Sequence, residues 1–167
     1  MNQQKNADYE SDNVKEKRNL FPFNVWALGD ITPLPNLNKY SSSTISYDKT
    51  TEYVSNGNYG LKCINTGNNT RPYVRYWIDI DSEWINKTIQ FNVNVKTTFA
   101  LSLRIYEHDG SRYTNTNVDI PENSEDTFTV TSTIASTTIA LWIGIEFQKN
   151  QNEGAYFYTD NWCLKKI

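Results

Sequence analysis

The chain is poor in the residues on which most enzyme chemistry depends. Of its 167 residues, one is His, two are Cys and one is Met. A zinc site built on imidazoles needs more than His108 can offer. A Ser-His-Asp triad would rest on the same residue, and a lone histidine is more often a surface or hydrogen-bonded side chain than a catalytic one. Cys63 and Cys163 form no Cys-x-x-Cys pair and stand 100 residues apart. Two readings of them stay open: a disulfide if their strands are neighbours, or two small half-buried side chains, the better-favoured of the two. Basic excess is also missing. Lys and Arg total 16 against 19 for Asp and Glu, a net charge of −3, which argues against nucleic-acid binding. No apolar run approaches the roughly 18 residues of a membrane span, so no membrane insertion is expected. The opening MNQQKNADYESDNVKEKR has no apolar stretch of the kind a signal peptide requires. A piece cut from a larger secreted protein would look the same.

Aromatic residues are plentiful: five Trp, eleven Tyr and seven Phe, 14% of the chain. Hydrophobic residues make up 38%, enough for a core beneath a surface rich in Asn, Thr and Ser. The length fits one domain, or one domain and a tail. Residues 1–18 carry eight charges and read as a flexible leader or linker. Residues 19–167 read as a single folded domain.

Within that domain the hydrophobic period is two, the period of strands. Residues 87–96 place Ile89, Phe91, Val93 and Val95 on one face and Thr88, Gln90, Asn92, Asn94 and Lys96 on the other. Residues 100–108 put Leu101, Leu103 and Ile105 inside. Residues 137–147 put Ile139, Leu141, Ile143, Ile145 and Phe147 inside. Residues 125–134 bury Phe128 and Val130, and 72–80 bury Val74, Tyr76, Ile78 and Ile80. Weaker strands are expected near 20–28, 44–48, 59–65 and 155–165. Asp109-Gly110 between two extended runs signals a hairpin; a two-residue loop there would pair Tyr106 with Tyr113 and Arg104 with Asn115. Strands joined by short, turn-rich links, without a helical period, give an all-β fold: a two-sheet antiparallel β-sandwich of jelly-roll type.

The outward faces differ between the two sheets. One sheet, with 87–96, 125–134 and the C-terminal strand, shows an ordinary face of Thr, Asn and Gln. The other, with 72–80, 100–108, 137–147 and the second hairpin strand, turns out Tyr73, Arg75, Trp77, Asp79, Ser102, Arg104, Tyr106, His108, Tyr113, Asn115, Trp142 and Glu146. Gly144 between the last two leaves room for a close approach to the backbone. A purely structural surface has little reason to gather these rings. The mixture suits a sugar: flat aromatic rings cover the C–H patches of a pyranose, while Arg, Asp, Glu and Asn pair with its hydroxyls. Stacking falls to Trp77, Tyr106 and Trp142; hydroxyl pairing falls to Arg75, Arg104, Asp79, Glu146 and Asn115. Trp84, in a turn, is either a loop-tip platform or packed beneath its loop. A glycosidase would need two facing carboxylates, for which Asp79 and Glu146 are the pair on this face; with no catalytic motif, the chain reads as a non-enzyme.

The run Tyr158-Thr159-Asp160-Asn161-Trp162-Cys163-Leu164 resembles the closing signature of carbohydrate-binding modules of the galactose-binding-like jelly-roll fold. Asn19-Leu20-Phe21-Pro22 is similar to their Asn-Leu opening, and Gly60-Leu61-Lys62-Cys63-Ile64 to their third-strand pattern. The resemblance implies the jelly roll and a sugar groove of the xylan- and glucan-binding kind at Trp77, Tyr106 and Glu146, with Arg75 or Arg104. It implies a possible structural Ca2+ at Asp160. The family's usual acidic residue after the opening is replaced by Phe23, Asn24 and Val25, with Asp30, Asp48 and Glu52 as substitutes. The function expected is a noncatalytic module that holds a polysaccharide or cell-surface glycan for a larger extracellular or surface protein. The alternative is an adhesion or receptor-binding domain of a cell-surface or phage tail protein.

Overall fold

The computed structural model describes residues 41–55 and 59–167. The leader at 1–18, the strand expected near 20–28, the Asn-Leu opening and Asp30 lie outside them. Among the described residues nine strands follow in order: β1 (Ile45–Thr50), β2 (Gly60–Asn65), β3 (Tyr73–Asp79), β4 (Thr88–Thr97), β5 (Leu101–His108), β6 (Tyr113–Ile120), β7 (Ser124–Thr133), β8 (Ala140–Phe147) and β9 (Tyr156–Lys166). They form two antiparallel sheets, five-stranded β1-β2-β9-β4-β7 and four-stranded β3-β8-β5-β6. The β-sandwich expected from the alternation is the fold observed, with 72–80, 100–108, 137–147 and the second hairpin strand in one sheet and 87–96, 125–134 and the C-terminal strand in the other.

The alternation explains why. In β4 every second residue, from Ile89 to Thr97, is buried; β3 likewise buries Val74, Tyr76 and Ile78. The β4 side chains join one core with Val74, Tyr76, Ile78, Leu103, Ile105, Leu141, Ile143, Ile145 and Phe147 of the facing four-stranded sheet. Fully burying each such side chain contributes about 1.5–3 kcal/mol. Trp84 is packed rather than displayed: it closes a single 3-10 turn (Ser82–Trp84) whose start is capped by Asp81, and it is 1% exposed.

Three local expectations are corrected. Ile139 is 54% exposed: it lies just before β8, which begins at Ala140, at the end of the sheet, although its backbone still bonds His108 and Ile80. The β5–β6 hairpin pairs His108 with Tyr113 and Tyr106 with Asn115, so its loop holds the four residues 109–112. Asp109 stabilises this longer loop by accepting from the amides of Ser111 and Arg112. The shift is by two residues, so every side chain stays on its expected face. Thirdly, the five-stranded sheet is not uniformly bland: Tyr156 and Tyr158 face outward beside Lys62.

Cys63 and Cys163 are both free and buried. Cys63 stands opposite Phe157 on β9, six residues from Cys163, or roughly 20 Å along a strand. Such a span excludes a disulfide.

The signature at the C-terminus forms a bulge. Asn92 pairs with Cys163 and Asn94 with Asp160, so β9 carries one residue more than β4 there. Asn161 takes the left-handed conformation this needs, with φ 56°. The extra residue switches the inward set from Phe157 and Thr159 to Trp162 and Leu164. Trp162 is wholly buried, packs edge-on against Phe91 and donates its indole N–H to Thr159.

Candidate carbohydrate-binding face

Register places the outward residues of the four-stranded sheet in rows. Trp77, Trp142, Tyr106 and Asn115 stand directly opposite one another across β3, β8, β5 and β6. The next row toward one end holds Asp79, Ala140, His108 and Tyr113. Toward the other end come Arg75, Gly144, Arg104 and Asn117, then Tyr73, Glu146, Ser102 and Asp119. The face therefore has an aromatic end and a polar end.

At the aromatic end Trp77 meets Trp142 edge-on at 5.2 Å between ring centres. Tyr113 stacks on Trp142 at 4.7 Å and on His108 at 4.4 Å. Tyr113 is 50% exposed, so it forms the outermost ring and Trp142 the tier beneath. The indole N–H of Trp77 donates to Asp79 at 2.8 Å, which fixes the ring's tilt.

At the polar end the groups converge on Glu146. Its Oε2 accepts from the Tyr106 phenol at 2.9 Å and lies 3.5 Å from both Arg75 and Arg104. Its Oε1 is 2.9 Å from Arg71 Nε. Both Arg75 and Arg104 also donate to the Tyr106 oxygen. The Arg75 guanidinium lies 3.7 Å from the centre of the Tyr73 ring and 4.2 Å from that of Tyr106, the geometry of a cation held between π faces. Burial, chiefly, raises the Tyr106 phenol above its ordinary range; the neighbouring Arg75 charge opposes this and Glu146 adds to it. The phenol thus stays protonated, able to donate to a carboxylate.

Gly144 makes this crossing possible. A Cβ there would come within 2.9 Å of Arg75 Cγ and closer still to the Val74 carbonyl. The open space read from the sequence as room for a ligand is occupied by the Arg75 side chain.

Nine residues expected at the site, Tyr73, Arg75, Trp77, Asp79, Arg104, Tyr106, Tyr113, Trp142 and Glu146, thus lie on one sheet face. Arg71 was missed. It continues the odd-numbered alternation of β3 past Pro72, which is the signal that would have found it. Asn117 and Asp119 follow from extending β6 in the same way. Asp79 and Glu146 do not face each other: six residues of β3 separate their rows, roughly 20 Å, well beyond the ~5–9.5 Å of a glycosidase pair.

Asp160 lies apart, in the β9 bulge. One carboxylate oxygen accepts from the Ser55 amide and hydroxyl, the other from the Asn161 amide. Asp48 stands opposite Lys62, and Glu52 binds Lys62 and the Tyr158 phenol. Among the described residues no group of three His, Cys, Asp or Glu side chains converges to hold a metal ion. Ca2+ takes six to eight oxygen ligands, carbonyls among them; among the described residues the hydrogen bonds make Asp160 a clamp on the bulge.

No family model and no curated protein matches the chain. Solved structures do. A xylan-binding domain of carbohydrate-binding module family 22 from Paenibacillus barcinonensis is 10% identical, with a TM-score of 0.57 over 76% of this chain and 84% of its own. A family 61 module, solved with β-1,4-galactotriose, is 11% identical, with a TM-score of 0.55 over 90% of this chain and 99% of its own. The enzymatically active domain of tailspike protein 4 from bacteriophage CBA120 is 11% identical, with a TM-score of 0.60 over 76% of this chain; the chain spans 18% of that protein. At these identities the likeness is one of fold: the chain has the β-sandwich of carbohydrate-binding modules.

Proposed function

We propose that the domain is a noncatalytic carbohydrate-binding module whose four-stranded face holds a poly- or oligosaccharide. The observation that carries this reading is the cross-strand row Trp77, Trp142, Tyr106 and Asn115 beside a guanidinium and carboxylate cluster. Rings supply stacking surface; the polar end supplies hydroxyl donors and acceptors already locked in place, which lowers the entropy lost on binding. Trp77 and Tyr113 are the platform, with Trp142 backing both. Arg71, Arg75, Arg104, Tyr106 and Glu146 pair with hydroxyls, and Asp79 and Asn115 do so at the rim.

The module would act as part of a larger extracellular or surface protein, tethering it to a glycan. Weak single sites gain from such linkage through effective concentration. The β-sandwich shared with a tailspike domain favours a second reading, an adhesion domain of a tail or cell-surface protein using the same face. A monomer that binds soluble glycans supports the first reading; an obligate oligomer supports the second.

Affinity electrophoresis in gels containing xylan, β-glucan, mannan or pectin tests the reading. Retardation by one polymer, abolished by Trp77→Ala, is the expected result. Equal mobility of the wild type in every gel would contradict it.

A further inference from the structure

On the five-stranded sheet, Tyr158 of β9 stands between two lysines. Lys62 on β2 is its partner on one side and Lys96 on β4 on the other. Each lysine is matched by a carboxylate further out, Lys62 by Glu52 at 3.3 Å and Lys96 by Glu125 at 2.9 Å. Beside this row a groove of about 250 Å³ opens between Lys96, Ser124, Glu125, Tyr156 and Tyr158. Its size falls below the ~300–1,000 Å³ of pockets that enclose drug-sized ligands, and suits one ring. Tyr156 is 38% exposed, meets Tyr158 edge-on at 5.4 Å, and carries the Lys62 ammonium 4.5 Å from its ring centre.

We propose that this groove is a second saccharide site, on the sheet opposite the first, taking a single neutral pyranose or the end unit of a glycan chain. The ring of Tyr156 is the platform. The ammonium of Lys96 and the carboxylate of Glu125 are a donor and an acceptor for neighbouring hydroxyls, with the Ser124 hydroxyl at the groove wall. The charges present, Lys62 and Lys96 against Glu52 and Glu125, cancel, so an uncharged polyol fits better than an anion. Two sites on opposite sheets would let one domain bridge two glycan chains, with avidity arising from the second contact.

The test is amide NMR on the full chain, titrated with xylose, glucose and galactose to tens of millimolar. Shifts are expected at 96–98, 123–125 and 156–158 with at least one sugar. They should persist in Trp77→Ala and weaken at least about tenfold in Tyr156→Ala. Lys96→Ala repeats the test on a second exposed side chain. Absence of these shifts with all three sugars would overturn the proposal, as would their loss in Trp77→Ala. A silent Trp77 indole together with a responding groove would contradict the proposed function and leave this site standing.

Discussion

The phenol of Tyr106 donates to Glu146 at 2.9 Å, and this bond joins the aromatic and polar ends of the face. Tyr106 belongs to the row of rings; Glu146 is the shared partner of Arg71, Arg75 and Arg104. Removing the carboxylate leaves three guanidinium groups without their common counter-charge. Glu146→Ala is expected to destabilise the fold by on the order of 3 kcal/mol and to abolish glycan retardation. Tyr106→Phe should cost less, about 1–3 kcal/mol, by leaving a buried acceptor short of a donor. Urea denaturation measures both; equal stabilities for wild type and Glu146→Ala would refute the assigned role.

Gly144→Ala is expected to destabilise by roughly 1–3 kcal/mol, the usual cost of forcing extra volume into a packed site. The new Cβ displaces the Arg75 stem and presses on the Val74 carbonyl. Because Arg75 then leaves its place between Tyr73 and Tyr106, glycan affinity should fall more than stability does. An affinity equal to wild type would show that Arg75 placement is irrelevant to binding.

The fold was legible because two-residue alternation is strong in β3, β4, β5 and β8, and one buried face per strand fixes which residues turn outward. Which side chains share the candidate face follows from that parity alone; which of them stand in one row depends on register, and in the β5–β6 hairpin the register differs by two residues from the expected one. Turn geometry was less legible: Asp109 caps a four-residue loop although Asp-Gly usually marks a shorter one, because its side chain substitutes for backbone partners. Side-chain traffic was not legible at all. Nothing in the sequence says that Arg75 crosses Gly144, since that depends on cross-strand partners. In β9 the bulge reverses parity after Asp160, so simple alternation gives no consistent face there and does not place Tyr156 and Tyr158 outward beside Lys62.

The bulge itself makes a prediction. Asn161, at φ 56°, should accept Gly at little cost, because Gly enters the left-handed region freely. Asn161→Val should destabilise by about 1–2 kcal/mol or more. Thermal denaturation of both variants checks this; equal losses would point to the Asn side chain rather than the backbone.

Alkaline pH should unfold the protein through its tyrosines. Burial, together with the charges of Glu125, Asp160 and Asp126, raises Tyr53 from 10.0 to about 12, and burial raises Tyr106 too. The folded state therefore holds these protons more tightly than the unfolded chain does. Their stabilising effect is complete below pH 10 and is lost as the pH climbs from 10 toward 12. The thermal midpoint should drop across that window, and Tyr53→Phe should flatten the drop. An identical slope in the variant would contradict the assignment.

The central claim is that the four-stranded face binds sugar, and the indole N–H signals of the tryptophans test it directly. Trp77 and Trp142 lie on that face, whereas Trp84 and Trp162 are 1% and 0% exposed and serve as internal controls. In a titration with a soluble oligosaccharide of the polymer that retards the protein, the Trp77 and Trp142 indoles should shift while those of Trp84 and Trp162 stay still. Saturating ligand that leaves Trp77 and Trp142 unmoved would contradict the account.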